Sequence, residues 1–358
     1  MHLAELNITN LRCIEQARLC FAPGLNLIYG DNAAGKTSLL EAIFFLAHAR
    51  SFRETTLDAL PRHGSEVLRI SGQIVADGRN MPIGVERRGR QLLARIDRKP
   101  APSVSSLAQH LPVLVVHPGS DALVLGGPGE RRAFLDWGCF HDSSAFHPIW
   151  QRFRRALEQR NQLLRLGRAS RELGIWTETF IQAAVELTEA RQAYLSSLEP
   201  FLDQAMEDLE LTGRIGLQYR RGWTERQTLP EVLHRHREVE LRRGFTQVGP
   251  QRAELDIQLD GEPAAQTASR GQIKTLVAAL RLAQAGRFNR IRGESALFLV
   301  DDLPSELDSR HRQRLLQALQ RLGAQGFITA IEPDSLDSTD GRIEKMFHVK
   351  QGGVTELV

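Results

Sequence analysis

The segment Gly30-Asp31-Asn32-Ala33-Ala34-Gly35-Lys36-Thr37 decides the fold of this chain of 358 residues. It has the form GxxxxGK(S/T), follows the apolar run Leu25 to Tyr29 and precedes a pattern of helical period from Ser38 to Ala49. In a strand, turn and helix of this kind, backbone N–H groups and the positive helix end point at a phosphate. The pattern predicts that residues 30 to 37 bind a nucleotide, with Lys36 on the β- and γ-phosphates and the Thr37 hydroxyl on Mg²⁺.

A second segment with nucleotide chemistry is the apolar run Ala296 to Val300, which ends in Asp301 and Asp302. A carboxylate at the carboxyl end of a buried parallel strand lies where α/β sheets bind ligands. We expect Asp301 to be a ligand of Mg²⁺, directly or through water, and Asp302 to be the catalytic carboxylate that orients the attacking water. By itself Asp-Asp is also common in a strand-end turn, but beside residues 30 to 37 it indicates a Walker B segment.

Between these two segments, Ser269-Arg270-Gly271-Gln272 precedes a helical pattern from Ile273 to Ala285. Serine is a favoured N-cap residue, and glycine lets the backbone approach a ligand. Two interpretations of these residues stay open: a capped helix, or a second nucleotide contact made by Ser269, Gly271 and Gln272.

Composition and charge indicate a globular protein with a sizeable core. Hydrophobic residues make up 42% of the chain, and 46 basic against 43 acidic residues give a formal net charge of +3, which permits a nucleic-acid partner without indicating one. Cys13, Cys20 and Cys139 lack CxxC spacing, which fits a reducing compartment. Since no leader or long uncharged apolar run is present, we expect a cytoplasmic protein without a membrane partner.

The order of patterns along the chain predicts a split α/β domain. Strand patterns dominate residues 1–125 and return in 245–358, so these two ranges are predicted to form one nucleotide-binding lobe. Residues 126–244 begin with a turn-rich Gly-Gly-Pro-Gly segment and then show helical period, which predicts an inserted helical arm. Its basic stretch Arg152 to Arg171 is predicted to be mostly solvated helix surface. Heptads are lacking, so no long coiled coil is expected.

The order of the three motifs is similar to that of ATP-binding-cassette (ABC) ATPases, whose S-G-G-Q-like signature contacts the nucleotide of the opposite subunit. Here Arg270 stands at the first glycine of that signature, and Leu303 to Asp308 resembles the D-loop of the same class. Over essentially the whole chain, the sequence resembles the RecF family of bacterial DNA replication and repair proteins, which are SMC-like ABC ATPases. The stretches that carry this resemblance are Leu6 to Arg12, Gly126 to His141, Gln159 to Asn161, Arg221 to Trp223 and Gly249 to Arg252.

The resemblance implies an ABC-type P-loop ATPase head with a helical second lobe inserted, ATP and Mg²⁺ as cofactors, and an ATP-dependent homodimer in which Ser269 of one subunit caps the nucleotide of the other. Arg12 is implied to lie near the nucleotide base. Many ABC ATPases have a switch histidine after the strand predicted at Phe327 to Ile331, whereas this chain has Thr329-Ala330 there. That departure implies slow hydrolysis, so the protein would be a weak ATPase that acts as a switch.

The implied partners are double-stranded DNA, including junctions with single-strand gaps, and RecR, with RecO and RecA engaged indirectly. The implied role is gap repair by homologous recombination, replication restart and the SOS response, at the nucleoid in the cytoplasm. Three alternatives stay open: an ABC transporter ATPase subunit, a small-molecule P-loop kinase, and a scaffold that binds ATP without turning it over. Neither the arginines that contact DNA nor the RecR docking surface follows from the sequence.

Overall fold

The computed structural model describes residues 1–167, 170–333 and 343–357, which fall into two compact units. The first unit consists of Met1–Ser120, Phe201–Leu211 and Lys274–Val358. The second consists of Asp121–Pro200 and Thr212–Ile273. Each unit is therefore built from more than one segment of the chain.

The elements are numbered in chain order. The N-terminal elements are β1 (His2–Leu11), β2 (Ile14–Cys20), β3 (Leu25–Tyr29), α1 (Lys36–His48), β4 (Val67–Ala76), β5 (Arg79–Arg88), β6 (Gln91–Ile96), β7 (Lys99–Pro100), α2 (Ser105–His110) and β8 (Val113–Val116). The central elements are α3 (Ala122–Leu125), α4 (Pro128–Asp142), α5 (Phe146–Arg165), α6 (Arg171–Asp208), β9 (Ile215–Arg220), α7 (Leu229–Arg243), β10 (Glu254–Leu259), β11 (Glu262–Pro263) and α8 (Ala264–Thr267). The C-terminal elements are α9 (Arg270–Arg292), β12 (Leu297–Val300), α10 (Leu303–Glu306), α11 (Ser309–Arg321), β13 (Gly326–Ala330), β14 (Ile343–Lys350) and β15 (Gly353–Leu357).

Two six-stranded sheets form the frame of the first unit. One sheet is antiparallel and has the order β2-β1-β4-β5-β6-β7. The other has the order β15-β14-β3-β13-β12-β8 and is parallel from β14 to β8. Every residue of β8, β12 and β13 is buried, which explains why these strands read as continuous apolar runs rather than as alternating patterns.

Helix α1 lies in the hydrophobic core of the first unit. Its apolar residues share one core with the inward faces of β1, β4 and β5 and with buried residues of β3, β12 and β13. Each fully buried Leu, Ile or Phe in such a core contributes about 1.5–3 kcal/mol relative to an exposed side chain. The helix that follows the glycine-rich turn is therefore held rigidly by packing on most of its circumference.

The unit boundaries differ from those predicted at 125/126 and 244/245. Residues 245–273 belong to the second unit because β10 pairs with β9 and β11 in an antiparallel three-stranded sheet there. Residues 201–211 belong to the first unit, where Glu210 pairs with Arg310 and Arg314 and Arg287 lies over Phe201. The inserted arm is thus not purely helical, and its longest helix, α6, continues into the first unit.

Candidate nucleotide site

The glycines of the segment 30–37 have conformations that this fold demands. Gly30 has φ 148° and Gly35, the N-cap of α1, has φ 118°, both outside the region that L-residues adopt readily. A Cβ at Gly30 would lie 2.2 Å from the carbonyl oxygen of Val349 in β14, and a Cβ at Gly35 would lie 2.9 Å from Cys13 Sγ. The turn can therefore close against β14 only with glycine at residue 30.

Lys36 opens helix α1 and folds back over the turn. Its side chain is buried, and Nζ donates hydrogen bonds to the carbonyl oxygens of Gly30 at 2.6 Å and Asp31 at 2.9 Å. Burial lowers the pKa of Lys36, and the negative charges of Asp302, Asp301 and Asp31 oppose that shift. The ammonium group thus lies inside the turn, in the position from which a P-loop lysine contacts phosphates.

Thr37 and Asp301 meet although 264 residues separate them in the sequence. The Thr37 hydroxyl lies 2.9 Å from Oδ1 and 3.0 Å from Oδ2 of Asp301, at the end of β12. Burial raises the pKa of Asp301, while the hydrogen bonds from Thr329 and Thr37 lower it. Hydroxyl and carboxylate oxygens at this spacing are the hard donors that Mg²⁺ accepts alongside phosphates and water, so these residues fit the ion. Among the described residues, no cluster of three or more His, Cys, Asp or Glu side chains offers another metal site.

Asp302 lies beside Asp301 in a left-handed conformation, with φ 54° and ψ 51°. It lines a cavity of about 410 Å³ in the first unit. The lining residues are Cys13, Asn32, Ala33, Gly35, Lys36, Thr37, Ser38, Arg53, Pro118, Asp301, Asp302 and Thr329. The structure therefore brings the predicted metal and catalytic residues and five residues of the predicted phosphate loop to one cavity, while their roles there stay predictions. Gly30, Asp31 and Ala34 of that loop are not among the lining residues.

Five of these lining residues were not anticipated: Cys13, Ser38, Arg53, Pro118 and Thr329. Ser38 follows directly on the motif, and Thr329 belongs to the strand where a histidine was sought. Arg53 and Pro118 lie in irregular segments after α1 and β8, where no sequence period marks a functional position.

Ser269, Gly271 and Gln272 belong to the second unit; Ser269 and Gly271 are exposed and Gln272 is half-buried. Ser269 Oγ accepts a hydrogen bond from Gln272 N at 3.2 Å, and Gln272 Oε1 accepts one from Ser269 N at 2.9 Å. This reciprocal pair is a capping box at the start of α9. The capped-helix interpretation is therefore realised, and the nucleotide contact stays a prediction.

Arg12 is not among the lining residues of the cavity. Its guanidinium donates to both carboxylate oxygens of the fully buried Glu41, at 2.9 and 3.0 Å, and lies 3.6 Å from Glu54. Arg12 thus neutralises a charge on the buried face of α1. Its predicted place near the nucleotide base stays a prediction.

A P-loop after β3 and a carboxylate at the end of β12, with β13 between these two strands of a largely parallel sheet, and a second, mostly helical unit inserted in the chain before β12, define an ABC-type ATPase head. The family model described as "RecF/RecN/SMC N terminal domain" matches residues 2–355. The chain belongs to the RecF family, as the resemblance had indicated.

Individual relatives agree with this assignment. The chain is 43% identical over 354 residues to the "DNA replication and repair protein RecF" of Thioalkalivibrio sulfidiphilus (strain HL-EbGR7), with 98% of both chains covered. It is 40% identical over 359 residues to the protein of the same description from Shewanella baltica (strain OS155 / ATCC BAA-1091), with both chains fully covered.

Solved structures give the same result. A structure described as "recombination mediator protein RecF-ATPrS in RecFOR pathway" is 26% identical and superposes with a TM-score of 0.87, covering 100% of this chain and 98% of that one. An SMC head bound to a domain of ScpA, at 13% identity and a TM-score of 0.61, shares the fold alone, covering 100% of this chain and 98% of that one. The predicted ABC-type α/β head is thus confirmed. No helix among the described residues has both the length and the apolar character needed to cross a membrane.

Proposed function

We propose that the protein is an ATP-dependent dimerising DNA-binding protein of recombinational gap repair and replication restart, with weak ATPase activity that acts as a switch. The observation that carries this proposal is the meeting of Thr37 and Asp301 at the cavity that also contains Lys36 and Asp302. Membership of the RecF family, and relatives described as DNA replication and repair proteins, support the biological role.

ATP with Mg²⁺ is the proposed ligand of the cavity. The N-terminus of α1 has no side-chain cap, so its backbone N–H groups and the helix dipole can act on phosphate oxygens. Lys36 would exchange its bonds to the Gly30 and Asp31 carbonyls for bonds to the β- and γ-phosphates. Thr37 and Asp301 would hold Mg²⁺, which when bound neutralises developing charge on the phosphates. Asp302 would orient the attacking water.

The second nucleotide contact would come from a second copy of the chain. Ser269 and Gly271 are exposed at the start of α9, where Gln272 is half-buried, and among the described residues nothing lies within 4 Å of the position of a Cβ at Gly271. A phosphate bound in one subunit would approach this open backbone of the other. ATP would in this way hold two heads together, and hydrolysis would release them.

Double-stranded DNA and its junctions with single-strand gaps are the proposed partners of the closed dimer, together with RecR and, through it, RecO and RecA. On α7, the exposed Arg235, Arg237 and Arg242 form no ion pair among the described residues, so they can neutralise phosphates without breaking internal contacts. Contacts of this kind give affinity that falls steeply with salt and depends little on base sequence. Repair at the nucleoid requires such binding.

Light scattering on the full chain tests this proposal, with and without ATP–Mg²⁺ and a short gapped duplex. We expect ATP to double the mass from 40.2 kDa and to raise DNA affinity at the same time. Lys36→Met should weaken ATP binding roughly 100-fold, since it removes a charged donor to two phosphates. Ser269→Arg should still bind ATP but remain monomeric.

Two matched controls separate these effects from changes of charge alone. Lys99→Met removes an exposed lysine of the same unit, and Ser144→Arg adds an arginine at an exposed serine of the second unit. Both should behave like the wild type. A wild-type protein that binds ATP but stays monomeric and ignores DNA would contradict the proposal and favour the kinase or transporter alternatives.

A further inference from the structure

Thr329 of β13 is fully buried, and its hydroxyl lies between the backbone of Asp302 and the carboxylate of Asp301. Thr329 Oγ1 is 2.7 Å from Asp302 N and 2.8 Å from Asp301 Oδ1. Because a backbone N–H can only donate, the hydroxyl oxygen accepts from Asp302. Its single hydrogen is then donated to Asp301, so the direction of both bonds is fixed.

The Asp301 side chain is oriented by this bond. Its backbone N–H donates to the carbonyl oxygen of Val116 at 2.8 Å, which anchors the main chain to β8 but leaves the side-chain rotation undetermined. Oδ1 lies within hydrogen-bond distance of the hydroxyls of both Thr37 and Thr329, while Oδ2 is approached by Thr37 alone. Thr329 therefore holds Oδ1 from the strand side and leaves Oδ2 the less occupied oxygen.

The Asp302 main chain is held by the same hydroxyl. Residues other than glycine adopt the left-handed conformation of Asp302 only where their surroundings stabilise it. Its N–H is fixed by Thr329, and its carbonyl oxygen accepts from Ser305 N at 2.9 Å and Glu306 N at 3.2 Å. The two peptide units that flank the Asp302 Cα are thus both restrained, and the side chain is kept at the cavity wall.

We propose that Thr329 is a positioning residue that sets Asp301 and Asp302 together from a single hydroxyl on the central strand β13. The inference rests on the proposed ATPase function, which gives these carboxylates their roles. Strand β13 pairs with β3, which leads into the P-loop, and with β12, which ends at Asp301, so the hydroxyl is attached to a rigid part of the sheet. Loss of the hydroxyl should affect metal use and turnover rather than the binding of nucleotide as such.

Thr329→Val, which keeps the shape and removes the hydroxyl, is the first variant, and Thr329→Ser, which keeps the hydroxyl, is the second. We expect Thr329→Val to raise the Mg²⁺ concentration needed for half-maximal tight ATP binding about tenfold and to lower turnover by a similar factor, as for the loss of one charge-assisted hydrogen bond. ATP affinity in EDTA should stay within about twofold. Thr329→Ser should restore both properties.

Thr188→Val is a matched control, since Thr188 is a buried threonine of α6 whose hydroxyl has no partner among the described residues. It should leave the Mg²⁺ midpoint unchanged. If Thr329→Val has the wild-type Mg²⁺ midpoint and turnover, or if Thr329→Ser is as impaired as Thr329→Val, the proposal is wrong.

A nucleotide-free double-mutant cycle separates this proposal from the proposed function. Urea unfolding of the Thr329→Val, Asp301→Ala and doubly substituted proteins gives the coupling between the two side chains. We expect the double variant to unfold with an equilibrium constant about fivefold or more below the product of the two single effects. If the two substitutions have additive effects on unfolding, the positioning role is wrong even if the protein binds ATP. If the wild type fails to bind ATP, the proposed ATPase function is wrong, and this cycle still decides whether Thr329 positions Asp301.

Discussion

The N-termini of α1 and α9 both bind phosphate in the proposed function, yet their first turns are capped differently. At α1, the N-cap Gly35 offers no side-chain bond to the first turn, and the first side chain, Lys36, folds back over the loop. At α9, Ser269 and Gln272 bond each other's backbone and close the helix end with its own side chains. One helix end is left open for a ligand, and the other is complete in the isolated chain.

The glycines of the two segments show the same contrast. Residue 30 must be glycine for the chain to fold, because a Cβ there would collide with the carbonyl oxygen of Val349. Gly271 is not required by the chain itself, since open space surrounds its Cβ position among the described residues. The P-loop is thus preorganised by its own fold, whereas a nucleotide at the second segment must compete with a capping box.

The largest expected effect on stability comes from replacing each of these two glycines by alanine. Gly30→Ala should lower the free energy of unfolding by about 3 kcal/mol, because the methyl group meets a backbone oxygen and the φ angle is strained. Gly271→Ala should change it by less than about 0.5 kcal/mol, since alanine fits an open first turn of a helix. Urea unfolding of both variants measures the difference. Equal losses of unfolding free energy in the two variants would show that the chain's own fold does not require glycine at residue 30 more than at residue 271.

A smaller effect on stability, its dependence on pH, tests whether the C-terminal end of α1 is shielded from solvent. At its C-terminal end, burial lowers the pKa of His48 to about 4, and the ring stacks on Phe44 with centroids 4.3 Å apart. The unfolded chain takes up a proton below a pH of about 6.5, but the folded one does not until about 4, so stability falls as the pH drops through this window. We expect the His48 ring to lower the free energy of unfolding by about 2 kcal/mol over this pH range. This is less than the full linkage value because the ring is partly exposed.

Urea unfolding at pH 7 and pH 4.5 measures the loss, with His48→Leu as the reference that lacks the titrating ring. The wild type should lose more stability than His48→Leu between the two pH values. Parallel losses in the two proteins would show that the ring is accessible to protons in the folded state, and that this end of α1 is not sealed.

The smallest effect concerns the capping box of α9. Ser269→Ala should cost about 1 kcal/mol of unfolding free energy, the usual value of an N-cap serine, and should leave ATP binding to the isolated subunit unchanged. Calorimetry with and without ATP measures both quantities. If Ser269→Ala is as stable as the wild type, the box contributes nothing in solution, and the two helix ends are more alike than their hydrogen bonds suggest.

The sequence was most informative where local pattern and chemistry coincide. The P-loop, α1, β3 and the Walker B run were placed within a few residues, because each has a fixed spacing or a continuous apolar run. The pairing of Thr37 with Asp301 was predictable only as a shared metal site. The contacts of Thr329 could not be predicted, because threonine is a β-branched residue that is common in strands, and nothing in the sequence distinguishes this one.

The second unit was predicted less well for a different physical reason. Strand β9 alternates Ile215, Leu217 and Tyr219 with polar residues or glycine, but its pairing with β10 depends on tertiary contacts, so the division predicted at 244/245 differs from the division between the two compact units. Helix α7 falls within the range predicted to be helical, but no separate helix was delimited there, because its composition is rich in arginine and glutamate. Its capping box, formed by Thr228 and Glu231, and the left-handed Gly244 that ends it were signals that a search for caps would have found.

The position of β3 in its sheet has a consequence for the order in which the nascent chain folds. Residues 25–29 lie between β13 and β14, whose residues 326–330 and 343–350 are synthesised last. At about 5–20 residues per second, the ribosome needs roughly 15–60 s to supply these neighbours, and β3 has neither of its strand partners for that time. The strands of the second unit, by contrast, all precede residue 274 and can pair with one another earlier. The strand that leads into the P-loop is thus synthesised early and gains its strand partners late.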